Sequence, residues 1–371
     1  MNIRIKDICR FGKKSDIKAG EGNTKGKYMF FTSSIDKDKR IDKFDYDEEG
    51  IIMGTGGNAT LHYYSGKFAV STDCLVLLPN SSYKCKYLYY FFLHNMRVLE
   101  GGFRGAGLKH TSKSYIENIE LTKTHSLLEQ DKIISVLSNI DNTIVLQNKR
   151  LKLINELTRS LFIEMFGDPV ENPMNWDVKE LGDYITVLTD FNSNGSYELL
   201  DSNVVMKDEP DYAWIVRITD LETMNEKGRK YIDEKTWNLL EKSKICGNEI
   251  IMCKIGSAGK IYIMPNTGKP ASLGRNAFMF RFNELLEREY VYYLLNTDYG
   301  IKEITQYVRG AVTKTITKDD VRRLRVMVPP INEQKKFISF INKIDKSKLA
   351  VKKSLEELEI LKKSLMQKYF A

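Results

Sequence analysis

The sequence predicts a mixed α/β (α+β) protein: two similar globular domains joined by two long antiparallel coiled-coil spacer helices, with pseudo-twofold symmetry. Two observations lead there. Residues 127–166, LLEQDKIISVLSNIDNTIVLQNKRLKLINELTRSLFIEMF, align without a gap at an offset of 204 with residues 331–370, INEQKKFISFINKIDKSKLAVKKSLEELEILKKSLMQKYF. The stretches ahead of these segments also repeat, at offsets of 199 to 205. The expected division is a first domain over 1–126, a central helix over 127–166, a second domain over 167–330 and a C-terminal helix over 331–371.

The first domain and its copy share short landmarks. Ile51-Ile52-Met53 and Gly57-Asn58-Ala59 match Ile250-Ile251-Met252 and Gly256-Ser257-Ala258. Tyr87-Leu88-Tyr89-Tyr90 matches Tyr290-Val291-Tyr292-Tyr293, and Arg104-Gly105-Ala106 matches Arg309-Gly310-Ala311. Ile5-Lys6-Asp7-Ile8 is similar to Val178-Lys179-Glu180-Leu181. The reading is short strands, glycine turns and one aromatic-rich helix per domain. The tyrosines are expected in the core of that helix, not as stacking platforms.

In the central helix, Ile133, Leu137, Ile140, Ile144, Leu151, Ile154, Leu161 and Met165 form an a/d seam interrupted by Gln147 and Thr158. Phe337, Ile341, Ile344, Val351, Leu355, Leu358, Leu365 and Tyr369 form the second seam, interrupted by Lys348 and Lys362. Ser126 with Glu129 makes a capping box, and Pro329-Pro330 occupy that place in the copy. Gly167 and Pro169 end the first helix. A 40-residue helix is a rod of about 60 Å that cannot bury a seam alone, so two matching seams are expected to bury each other.

Composition bounds the function. An apolar fraction of 42% and a charged fraction of 29% fit a soluble globular protein, and no apolar run suits a membrane span. The N-terminus carries no secretory pattern, and Cys9, Cys74, Cys85, Cys246 and Cys253 show no regular spacing. Buried free thiols in a cytoplasmic protein are expected. The four histidines (His62, His94, His110, His125) have no metal-ligand spacing, and no phosphate-loop motif occurs. Asp168-Pro169 and Asn172-Pro173 lack the second proline and aromatic residue of an amino-methyltransferase motif. No catalytic residue is expected.

The net charge of +8 is unevenly placed: residues 1–126 carry +6, 167–249 are acidic, and 250–330 are basic. The functional signal is a glycine turn beside basic loops. Lys254, Ser257 and Lys260 surround one turn, Arg309, Lys314 and Lys318 form a second basic loop, and Arg275 is a further candidate. Asn58, Arg104, Lys109, His110 and Lys113 do the same in the first copy. Glycine lets backbone approach a phosphate, arginine can read guanine edges and lysine can hold phosphates. The set therefore points to DNA contact. A pseudo-symmetric protein scaffold without DNA readout explains the helices equally well but leaves these loops without a purpose.

Several motifs over nearly the whole chain carry a family resemblance: the two Glu-Gln helix starts, VPPINEQKKF at 328–337, EMFGDPVENPMNWDVKELGD at 164–183, IIMCKIGSAGK at 250–260 and RGAVTKTITKDDVRRLRVMVPP at 309–330. With them the chain resembles the specificity subunits of type I restriction-modification systems. GTGGNATLHY at 54–63 departs from the pattern, lacking a lysine that matches Lys260. The resemblance implies a non-catalytic DNA reader with two target-recognition domains on a bipartite, asymmetric site. It implies two methyltransferase subunits docked on the helices, through a surface that includes Ile133, Ile140, Ile144, Phe337, Ile344 and Leu355, directing adenine-N6 methylation. Motor-nuclease subunits join the same assembly in the family. S-adenosylmethionine, Mg2+ and ATP would belong to those partners and not to this chain.

Overall fold

The two long helices run Leu127–Phe166 and Ile331–Phe370, where the repeat begins and ends. The computed structural model describes residues 3–36, 38–107, 109–223, 226, 228–266 and 268–371. These form two compact units. One comprises residues 1–150 and 350–371, the other 151–349. The unit boundaries thus fall inside both helices, so each unit holds the start of one helix and the end of the other.

In the first unit, a six-stranded sheet has the order Cys9–Phe11, Cys74–Pro79, Tyr46–Gly54, Thr60–Val70, Tyr28–Phe31, Arg40–Ile41. Only Tyr28–Phe31 and Thr60–Val70 run parallel. The second unit repeats its centre. Ile250–Cys253 lies between Ile261–Ile263 and Ala277–Phe282, and the latter pairs with Ile185–Asp190. A three-stranded sheet (Lys230–Ile232, Ala213–Val216, Ala271–Leu273) and three short helices between 197 and 239 complete this unit.

One register differs from the sequence expectation. Ile5 N–H donates to Ile119 O and Leu181 N–H to Leu324 O, while Asn80 N–H donates to Ile8 O and Asn283 N–H to Tyr184 O. The equivalent of Ile5 is therefore Leu181, not Val178, a shift of three residues. Similar side-chain order masked it, because Ile5–Ile8 is a helical turn and Asp177–Glu180 a strand.

The aromatic helices Cys85–His94 and Arg288–Leu295 are where each unit grips the long helices. In the first unit, fully buried Tyr87 and Phe91 pack on Phe370, beside Ile133, Leu137 and Met366. In the second, Tyr290 packs on Phe162 and Phe166, beside Phe337 and Ile341. In each unit the helix segments therefore meet start to end, an antiparallel contact. Polar identities of the repeat are explained by the same joint. Gln130 Oε1 accepts the Lys84 N–H and its Nε2 donates to Ser82 O and His125 O. Gln334 does the same with the Glu287 N–H, Leu285 O and Pro329 O. Asp141 accepts from Tyr90 and from Lys362, so the lysine that interrupts the seam has a carboxylate partner.

The seam residues offered above as a partner surface require correction. Ile133, Ile140 and Phe337 are buried and so offer no partner surface, whereas Ile144, Ile344 and Leu355 are half-buried. The thiol expectation also changes at one position: Cys9, Cys74, Cys85 and Cys253 are buried, whereas Cys246 is exposed. Replacing Phe370 by Ala should empty a closed aromatic site and lower stability by about 3–5 kcal/mol, measurable as a reduced urea midpoint.

Candidate nucleic-acid interface

Both units build one backbone device at the same end of the sheet. The turn after Tyr46–Gly54 uses Gly57 at φ 84°, and the turn after Ile250–Cys253 uses Gly256 at φ 90°. A side chain there would be strained although space is open, which accounts for the repeated glycine. Gly57 N–H donates to Lys109 O and Gly256 N–H to Lys314 O, each at 2.9 Å. Thr111 N–H donates to Thr55 O, as Ile316 N–H donates to Lys254 O. Arg104 and His110 exchange backbone hydrogen bonds, as Arg309 and Thr315 do. The basic loops 104–110 and 309–315 are thus tied to the glycine turns in the same way.

Their side chains differ. In the first unit Asn58, Arg104, Lys109 and His110 are exposed, with no side-chain ion pair or hydrogen bond among the described residues. Lys113 lies 3.6 Å from Glu117 and sits over the Phe11 ring. In the second unit Ser257 and Lys314 are exposed, but the other candidates are engaged. Lys254 and Lys318 both donate to Asp190, at 2.8 and 2.9 Å, and Lys318 also reaches Ser193. Arg309 donates to buried Asp320 at 2.8 Å. Lys260 donates to Glu222, and Arg275 donates to Asp201 while lying over Phe191 and Tyr197. These carboxylates had no visible signal, since each lies 11 to 128 residues from its cation. Lys254 and Lys318 are therefore scaffold cations that hold the turn and the Lys318–Arg322 helix together.

The electrostatics follow from these contacts. Burial opposes ionisation of Asp190, but hydrogen bonds from Lys254, Ser193 and Lys318 outweigh it and hold its pKa at about 2. Asp320 is likewise lowered, with burial opposed by Thr317 and Arg309. The Glu222 carboxylate, with Tyr262, raises Lys260 above the usual lysine value. Among the described residues, no group of three or more His, Cys, Asp or Glu side chains is placed to hold a metal ion.

A duplicated scaffold that presents one turn-and-loop device twice, with different side chains each time, defines a protein that reads its target in two places. The chain belongs to the type I restriction modification DNA specificity domain family, whose model matches residues 1–156 and 173–360. It is a type I restriction-modification specificity subunit, and its units are DNA-specificity domains. It is 24% identical to the type I restriction enzyme MjaVIII specificity subunit of Methanocaldococcus jannaschii, over 98% of this chain and 90% of the relative. The MjaIX specificity subunit of the same organism is 24% identical over 79% of this chain and 69% of its own length. The fold is similar to a crystal structure of the type I restriction-modification S subunit from M. genitalium, with a TM-score of 0.72 and 17% identity, covering 100% of this chain and 96% of that one. A chain from a structure of type I restriction-modification complex assembly matches at a TM-score of 0.52 and 14% identity, covering 100% and 97%.

Asp190→Asn should leave two lysines without their carboxylate and cost on the order of 2–3 kcal/mol at neutral pH. The folded pKa lies below the unfolded value of about 3.9, so this contribution is complete above pH ~4 and disappears as pH falls towards 2. Urea unfolding at pH 7 and at pH 2.5 should show the wild-type advantage at the first pH and a much smaller one at the second.

Proposed function

We propose that the first unit reads one half of a bipartite, asymmetric site in duplex DNA and the second unit reads the other. The observation that carries this reading is the pair of turn-and-loop devices with matched backbone hydrogen bonds and unlike side chains. A common backbone would present each loop to the groove in the same manner, and unlike side chains would select different bases. Arg104, Lys109, His110 and Asn58 serve the first half; Arg309, Lys314, Ser257, Lys260 and Arg275 serve the second. Lys113 adds phosphate contact at the edge of the first device.

The chain itself performs no chemistry in this reading. Partner subunits carry S-adenosylmethionine, Mg2+ and ATP, methylate adenine N6 at the recognised site and, where a motor-nuclease is present, restrict unmodified DNA. The complex works in the cytoplasm, and none of the described helices is long and apolar enough to cross a membrane. Two like methyltransferase subunits are supported by a repeat of exposed apolar positions on the long helices. Val136, Val145 and Leu361 in the first unit match Phe340, Leu349 and Leu157 in the second at the same offset of 204.

Methylome sequencing of cells expressing this chain with its methyltransferase should reveal one split, asymmetric motif. Exchanging residues 167–330 for the corresponding domain of another specificity subunit should change one half of that motif and preserve the other. No methylation, or a change in both halves, would sink the reading. Leu349→Asp should lower the mass of the purified complex from two methyltransferase subunits to one, read by light scattering, while the single-site Val145→Asp variant should act likewise.

A further inference from the structure

We propose that Lys13 and Lys14 bind DNA phosphates as an additional part of the first unit's interface, giving that unit the larger share of the salt-dependent affinity. The inference rests on the DNA-reading function above and names contacts the loop motifs do not include. It comes from comparing the two sheets position by position. Phe11 faces Leu77 and Leu77 faces Ile51; Leu188 faces Phe280 and Phe280 faces Ile250. Two residues further along, past Gly12, whose N–H donates to Val76 O at 2.8 Å, the position of Asp190 is taken by Lys13.

The same comparison places Thr55 where the second unit has Lys254, and Tyr115 where it has Asp320. Asp190 and Asp320, the acids that hold Lys254, Lys318 and Arg309 in the second unit, therefore have no counterpart in the first. Arg104 loses the carboxylate that holds Arg309, and the sheet position that neutralises two lysines becomes a lysine itself. Lys13 and Lys14 are exposed and have no side-chain ion pair or hydrogen bond among the described residues. Their backbone is nonetheless fixed: Tyr46 donates its hydroxyl to Lys13 O at 2.6 Å. Asp16, Lys43 and Asp45 line the neighbouring groove; Lys43 pairs with Glu21 and Asp45 accepts the Val70 N–H.

Location links the lysines to the loop device. Gly54 pairs with Cys74 and Phe11 with Leu77, so the end of the first strand lies at the same sheet end as the 55–59 turn. Lys113, which follows the basic loop, has its ammonium 4.8 Å from the centre of the Phe11 ring. Lys13 and Lys14 follow Phe11 by two and three residues and border the groove that also holds Lys43, Asp45 and Tyr46. Unpaired cations neutralise phosphates with full counterion release, whereas cations already held by carboxylates must exchange one anion for another.

The test uses the full chain assembled with its methyltransferase and a duplex carrying the site found by methylome sequencing, with affinity measured across KCl concentrations. Lys13→Ala with Lys14→Ala should reduce the slope of log K against log salt by about 0.9 per lysine without changing the melting temperature. The double arginine variant should keep the wild-type slope. Control changes at two exposed lysines elsewhere, Lys235→Ala with Lys242→Ala, should leave it unaltered. An unchanged slope for the Lys13/Lys14 variant, while Arg104→Ala with Lys109→Ala lowers it, overturns this proposal and leaves the DNA-reading function standing. An equal loss in the control overturns it as a net-charge effect. Binding by the wild type that does not depend on salt overturns the DNA-reading function itself.

Discussion

Everything in this protein depends on how two 40-residue helices dispose of their apolar stripes. Neither stripe can be hidden by its own helix, and both are hidden at their ends by a domain core. Phe162 and Phe166 enter the second unit's aromatic cluster together with Phe337; Phe370 and Met366 enter the first unit's together with Ile133. The interaction is mostly aromatic, with ring centroids 4.9 to 5.8 Å apart around Tyr290. Such contacts are large in buried area and directional, which suits a joint that must fix an angle as well as an affinity.

The polar residues of the joint give it specificity. A buried glutamine at the fourth helical position of each long helix ties that helix to the start of the aromatic helix. Replacing the amide would leave three backbone groups at this joint without their side-chain partner, so the Glu-Gln start is explained by backbone hydrogen bonding. The same reasoning covers Asp141, which takes a tyrosine hydroxyl and a lysine at once.

Much of this was legible in the sequence, because gapless repetition over 40 residues specifies helix limits and matching seams. The glycine turns and their partner loops were legible too, since φ above zero demands glycine at Gly57 and Gly256 alike. What escaped were facts that need three dimensions. The heptad reading chose Leu161 and Leu365 over Phe162 and Met366, because it assumed that helix faces helix, whereas the ends of these helices face a domain. Asp190, Asp320 and Glu222 carry no motif, and only folding brings them to the cations they hold. The three-residue error at Ile5 arose where a helical turn and a strand share an apolar pattern.

Closure of the first unit by residues 350–371 has a consequence for biosynthesis. Thr122 binds Phe370 O, and Lys123 reaches Lys368 O and Ala371 O, across some 245 residues of chain. The segment synthesised first is therefore left with an open aromatic cleft while the later unit, complete by residue 349, already has all its parts. The amino-terminal unit therefore cannot close until residues 350–371 follow the whole of the second unit, and Tyr87 and Phe91 lack their aromatic partner until then.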